Sequence, residues 1–417
     1  MKKRLLHISP GFWVALIFLG IALVKVTPLV MSVAMGGLFL TALAAPNALR
    51  RIPYLALEPS AGIFVLFFIL VLASGLYSHD LTTWLERLRI KLPFLLLPLA
   101  FFVLPKPTER HVNLTLYFIW ALMIAGSIIS VGMYLADREA ITEAITRGKT
   151  MPTPFNHIRF SLMAVFAAVC GYQLFRSGFV VKYRWEKWLL LAGTLFLVAF
   201  IHVWAIRSGL LALYLCLAAI IVYEIWRTRK FVLLGSLLLL LPVVPLVAYY
   251  TVPTFTNKVN YMVYDLERFK EGDTAAYSDA RRLRSIVVSW QAGKAEKWLG
   301  VGYGDIQSTM GAYYQAHYPE LAQENGLDPH NQFLYVFVGL GFLGLGVFVW
   351  AVFYPLWLAW RWRNILFICF NLIAITSLIP EYPLENQVGT AFYLTTLFFL
   401  YFVYKPALDK GKGHLSE

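Results

Sequence analysis

KWLLLAGTLFLVAFIHVWAIRSGLLALYLCLAAIIVYEIW, residues 187–226, decides the fold. It divides into two apolar runs, near 187–205 and 208–226, with Arg207 between them. Each approaches the roughly 20 residues an α-helix needs to cross a hydrocarbon core. Hydrophobicity does not alternate within either run, which excludes barrel strands. Backbone groups in lipid must bond within their own segment, so both runs are predicted to be membrane-spanning helices.

Working outward, similar runs lie near 11–27, 28–46, 60–77, 90–104, 113–135 and 157–175 on the N-terminal side. Four more lie near 230–250, 331–354, 362–380 and 387–404, which brings the expectation to about twelve helices. The run at 90–104 is short and bounded by prolines. Composition agrees: 59% of the 417 residues are hydrophobic and 14% are charged, where a soluble domain carries about 25% charged residues. The basic start Met1-Lys2-Lys3-Arg4 leads into an apolar stretch with no small-residue cleavage site, which reads as an uncleaved first helix. Cys170, Cys216 and Cys369 each sit inside an apolar run, in neither a metal-type spacing nor a disulfide framework.

The net charge of +13 is spread over short clusters between apolar runs. That pattern orients a membrane protein and contacts anionic lipid, and no soluble basic domain is present to bind nucleic acid. One set of alternate connections holds Lys2, Lys3 and Arg4, then Arg50 and Arg51, then Lys106 and Arg110. The set continues with Arg176, Lys182, Arg184 and Lys187, then Arg227, Arg229 and Lys230, then Arg361 and Arg363, and last Lys405, Lys410 and Lys412. The opposite loops mix signs, as in Asp137, Arg138, Glu139, Glu143, Arg147 and Lys149. The positive-inside rule then places both termini in the cytoplasm and the long polar segment 251–330 outside it. The organisation expected is helices one to nine over 1–250, an extracytoplasmic loop over 251–330, and helices ten to twelve with a cytoplasmic tail over 331–417. Within the loop, 258–270 and 279–298 have helical character, and Gly300-Val-Gly302-Tyr-Gly304 reads as a turn.

Sorted by side, His157, Arg159, Arg207, Arg281, Arg282, Arg284 and His330 all fall on the extracytoplasmic face. Arg207 and Arg159 border apolar runs, where a charge is costly and marks a polar cavity unless it snorkels to the head groups. Arginine suits an anion site because its planar fork pairs bidentately with phosphate. Ser278-Asp279-Ala280-Arg281-Arg282-Leu283-Arg284 opens a helix that Ser278 or Asp279 can cap, and its positive start favours an anion; a solvated basic patch is the other reading. His330, in Asp328-Pro329-His330-Asn331-Gln332-Phe333, is placed to act as a general base, or else to serve as a cap or surface residue. The glycine turn lacks the GKS/T ending of a phosphate loop and reads as the return to the membrane. No metal motif or paired carboxylate appears, and Asp80, Glu381 and Glu385 are too scattered along the chain to define a site.

Taken in order, Arg207-Ser-Gly, the basic helix leading to the Gly-Val-Gly-x-Gly turn, Pro329-His-Asn-Gln-Phe-Leu334 and Gly339-Leu-Gly-Phe-Leu-Gly344 resemble the O-antigen ligase and polymerase superfamily. The resemblance covers about 200–345 and extends loosely to Asn156-His157-Ile158-Arg159-Phe160-Ser161 and Glu385-Asn386-Gln387-Val388-Gly389. It departs at Trp298, where relatives often carry proline.

The resemblance implies an all-α inner-membrane enzyme with a large periplasmic loop between the ninth and tenth helices. Such an enzyme moves a glycan from undecaprenyl diphosphate to a lipid A-core sugar, with no cofactor, metal or nucleotide sugar. The family's histidine would fall on His330 and its arginines on Arg207 and Arg282, with Arg284 the alternative for the second. His157, Arg159, Arg281 and Arg284 would contact the diphosphate or glycan. The expected chemistry is attack opposite the leaving diphosphate, inverting the anomeric carbon, in a cavity open to the bilayer. The same residues would serve a polymerase or a protein O-oligosaccharyltransferase. A lipid-linked glycan transporter, by contrast, would place its charges near mid-membrane.

Overall fold

The computed structural model describes residues 9–46, 48, 58–146, 149–270, 278–319 and 328–406. Those residues contain helices and no strand. The first seven helices are α1 (Pro10–Ala22), α2 (Leu29–Leu43), α3 (Pro59–Ala73), α4 (Leu81–Lys91), α5 (Pro93–Val103), α6 (Glu109–Ala136) and α7 (Arg138–Thr146). Then come α8 (His157–Ser177), α9 (Glu186–Trp204), α10 (Arg207–Thr228), α11 (Phe231–Leu240), α12 (Val243–Thr251) and α13 (Pro253–Lys270). The last five are α14 (Ser278–Ala295), α15 (Ile306–His317), α16 (Gln332–Arg361), α17 (Ile365–Leu378) and α18 (Gln387–Tyr404).

Every apolar run read from the sequence is helical. Seven segments are long and apolar enough to cross a membrane: α3 with its short extension to Leu76, α6, α8, α9, α10, α16 and α18. The bent pair α11–α12, hinged by 40° at Leu241-Pro242, makes an eighth if it is one span. The helices α1, α2 and α17 are apolar but shorter. The basic residues Lys2, Lys3, Arg4, Arg50, Arg51, Arg147, Lys410 and Lys412 lie outside the described residues.

The middle of the bundle is aromatic. Phe18 of α1, Phe166 of α8, Phe370 of α17 and Phe392 of α18 meet with ring centroids 5.6–6.3 Å apart. Asparagine starts four of the helices; Asn364 caps α17 at Phe367, and the other three starts share one end of the bundle. Asn156 caps α8 at the amides of Ile158 and Arg159, Asn331 caps α16 at Leu334, and Asn386 caps α18 at Gly389. These caps satisfy amides that a helix start leaves without an intrahelical partner. Gly209, in the first turn of α10, is pressed against Ser161 in the second turn of α8, so Arg207 stands at the same end as those three starts. Described members of the basic set gather at the opposite ends: Arg176 and Arg227 share Glu224, Arg363 covers the Trp226 ring, and Lys106 reaches the Lys405 carbonyl.

The two glycine motifs are halves of one device. Within α16, Gly341 adopts φ 61°, ψ −161°, a conformation essentially confined to glycine, and breaks the helix. Lys297–Gly302 lies against this break: the amides of Val301 and Gly302 donate to the carbonyls of Val338 and Gly339 at 2.9 and 3.0 Å. In return Phe342 and Leu343 donate to Lys297 and Trp298 at 2.8 and 3.3 Å. Backbone groups freed by a break in an apolar helix need such partners. The turn itself is anchored through Tyr303 and Gly304 to Ser74 and Ser78, so its amides are not offered to a phosphate. Trp298, where the sequence departs from the resemblance, contributes its backbone, and its largely exposed ring meets Phe342 edge to face at 6.0 Å.

A Cβ on Gly341 would fall 2.3 Å from the Trp298 carbonyl carbon. Gly341→Ala is therefore expected to add about 1–3 kcal/mol of backbone strain on top of that clash. Folded yield in detergent should fall sharply, whereas Gly346→Ala, with nothing within 4 Å of its Cβ, should leave it unchanged. Equal melting temperatures for the two variants would show that the break is not locked in this way.

Candidate active site

His330 is placed by its neighbours. Pro329 precedes it and the Asn331 cap follows, so it stands just before α16. Its backbone amide donates to Ser285 Oγ of α14 at 2.8 Å, and that hydroxyl donates to the Asp328 carbonyl at 3.1 Å. The imidazole meets the Tyr382 ring edge to face at 5.4 Å, and its Nδ1 is buried without a hydrogen-bond partner. Burial, with the Arg282 and Arg281 guanidinium groups, pulls the imidazole down to about 4, so it is neutral at pH 7.

Arg282 donates from Nη2 to Glu381 Oε1 at 2.8 Å, in the short connection between α17 and α18. Arg281, one residue earlier, is exposed. Arg284 is turned away: it is only 8% exposed and its guanidinium lies over the Tyr318 ring at 5.4 Å. Two residues along a helix rotate a side chain by about 200°, which is why the two arginines point apart. The side chains of Ser278 and Asp279, expected as caps, lie outside the described residues.

His157, the first residue of α8, lies within electrostatic reach of Lys258, Arg282 and Arg159. Arg159 lines a cavity with Asn156, Glu381, Pro383 and Tyr393, and its buried Nε has no hydrogen-bond partner. The structure therefore gathers His157, Arg159, Arg281, Arg282 and His330 around Glu381 and Tyr382. Arg207 is exposed at the start of α10, and Arg284 packs on Tyr318.

Sequence reasoning set Glu381 aside as too far from the other candidates along the chain, and missed Tyr382, Lys258 and Arg87. Arg87 of α4 lies 3.9 Å from Asp328 and covers the Tyr335 ring at 5.7 Å. Only the side assignment could have pointed to Glu381, because it lies 99 positions along the chain from Arg282. Among the described residues, no group of three or more His, Cys, Asp or Glu side chains is placed to hold a metal ion.

This is a helical, multi-pass membrane protein with a cluster of arginine and histidine side chains at one end of its bundle. Residues 192–349 match the family model described as O-antigen ligase, so that stretch is similar to the glycan-transferring enzymes of this superfamily. The match includes Arg207, Arg281, Arg282, Arg284 and His330, but not His157, Arg159 or Glu381. No curated protein matches the chain.

Proposed function

We propose that this protein is an O-antigen ligase, transferring a glycan from undecaprenyl diphosphate to a lipid A-core sugar hydroxyl at the periplasmic face of a Gram-negative inner membrane. The observation that carries the reading is a neutral histidine held beside a fork-shaped cation within the family-matched segment. In the reaction the acceptor oxygen attacks the anomeric carbon, and the bond from that carbon to the diphosphate oxygen breaks. The acceptor proton passes to His330, and undecaprenyl diphosphate leaves with its negative charge. Arg207 and Arg282 on the diphosphate would stabilise this charge as it grows, and that differential binding is the source of catalysis. Attack opposite the leaving group inverts the anomeric centre.

His157, Arg159 and Arg281 would extend the cationic surface along the diphosphate and first sugar, with Arg284 supporting the loop behind them. Twelve spans, with α1, α2, α5, α17 and the α11–α12 pair counted among them, fit this reading, with both termini cytoplasmic and the 251–330 segment outside. No cofactor is required, and both substrates reach the site from the bilayer.

The test is the lipopolysaccharide pattern of a deletion strain. A ligase deletion leaves unmodified core and no ladder, and re-expression restores every band. Survival of core bearing a single repeat would identify a polymerase, and an unchanged ladder would remove the chain from this step altogether.

A further inference from the structure

Beneath the site lies a pair of charges that the mechanism above does not use. Lys91, the last residue of α4, has a fully buried side chain, and Glu385, just before α18, is 1% exposed. Lys91 Nζ donates to Glu385 Oε1 at 2.6 Å and to the Leu384 carbonyl at 2.8 Å. It is boxed by the rings of Phe94, Tyr303 and Phe67, with centroids at 5.4, 5.5 and 6.0 Å. The first residue of α16 completes the cluster. Gln332 donates from Nε2 to the same Glu385 oxygen at 2.7 Å, and its Oε1 accepts from the Leu384 amide at 2.9 Å. Its own backbone amide donates to the Glu381 carbonyl at 3.1 Å.

These bonds join the two halves of the site. Residues 381–385 carry Glu381, which holds Arg282, and Tyr382, whose ring meets His330. Gln332 lies two residues after His330. A buried ion pair adds little stability over well-packed apolar side chains, and the best-attested reason to keep one is that directional bonds fix a single register. An apolar contact at this point would let the 381–385 segment slide along α16.

We propose that Lys91, Glu385 and Gln332 form a buried clamp whose role is to set His330 against the Glu381–Arg282 side of the site. All three are positioning residues, and the role rests on the reading of His330 as the base. Misplacing reacting groups by about 1 Å can cost about 10²-fold in rate, so the clamp should show in kcat and not in donor binding.

The test uses the full-length protein in nanodiscs and the double variant Lys91→Met/Glu385→Leu, which removes both charges and keeps apolar volume. Either single change strands a buried charge and is expected to lower folded yield. The double variant strands only the neutral Gln332 Nε2, so it should accumulate with a modestly lower melting temperature and keep its donor KM within about twofold, with kcat lower by about 10²-fold. A normally folded double variant with kcat within about threefold of wild type overturns the clamp. If it does not accumulate, Gln332→Met decides: it leaves the ion pair and the backbone bond to Glu381 intact, removes both side-chain bonds to Leu384 and Glu385, and should show the same kcat-only loss, whereas an unchanged kcat refutes the role. Hydrogen exchange supplies a reading independent of turnover. Peptides covering 328–335 and 380–386 should exchange at least about tenfold faster in the variant, with α8 unchanged, and equal exchange refutes the clamp. Absence of transfer by the wild type would instead count against the ligase reading, while exchange still decides the clamp.

Discussion

His330→Ala is expected to lower transfer by about 10²–10⁴-fold, the usual contribution of a general base, while the protein folds and still binds the lipid-linked donor. The side chain makes no hydrogen bond that the fold depends on. It is the backbone amide of His330 that reaches Ser285, and Asn331 that caps α16. Donor affinity should survive because the arginines remain. A variant that folds and retains more than roughly a tenth of wild-type turnover would refute the base, given that range. The pH profile supplies a second, independent check. In the free protein the imidazole is held near 4 by burial and by Arg282 and Arg281. Protonation removes the base, so kcat/KM should hold from neutral pH down and fall only on approaching about 4. Bound diphosphate offsets the guanidinium charges and raises the basicity of the imidazole. The acid limb of kcat should therefore lie at higher pH than that of kcat/KM. A kcat/KM limb at the ordinary histidine value would mean that the site does not hold His330 in its neutral form.

The helices and the side of each charged residue were legible in the sequence. Apolar runs fixed the helices because hydrophobicity in a membrane chain is nearly binary, and alternating basic clusters sorted the charged residues into two sets. Physical proximity within the outer set was not legible. Glu381 is an unremarkable acid in a short connection until α16, α17 and α18 bring it beside Arg282. Lys91 is harder still: it sits at the edge of a proline-bounded run, where a lysine ordinarily reads as a head-group contact. Its burial depends on Glu385 and Gln332, distant along the chain and supplied by other elements. The glycine motifs were visible as turns, but their mutual lock depends on the φ of Gly341, which a sequence does not display. Neither the run lengths nor the charge pattern could separate Arg282 from Arg284. Helical rotation separates them, once α14 is seen against α16 on one side and Tyr318 on the other.

That separation sets up the second large effect. Arg282→Lys is expected to lower kcat by about 10²–10³-fold, as the loss of a donor to developing negative charge typically does. Lysine keeps the charge but not the fork, and a diphosphate oxygen pair is matched by two parallel N–H groups. In the free protein Glu381 occupies that fork at 2.8 Å, standing where an anionic group of the donor would bind. Arg284→Lys should behave differently. Its guanidinium stacks on Tyr318, so the substitution removes a stacking contact inside the loop, lowering the melting temperature while donor KM and kcat change little. The two variants are measured side by side, with thermal unfolding and transfer kinetics on the same preparations. If Arg284→Lys carries the larger kcat loss and Arg282→Lys only a stability change, the diphosphate sits on the opposite side of α14, and the cluster around Glu381 and Tyr382 is not where the chemistry occurs.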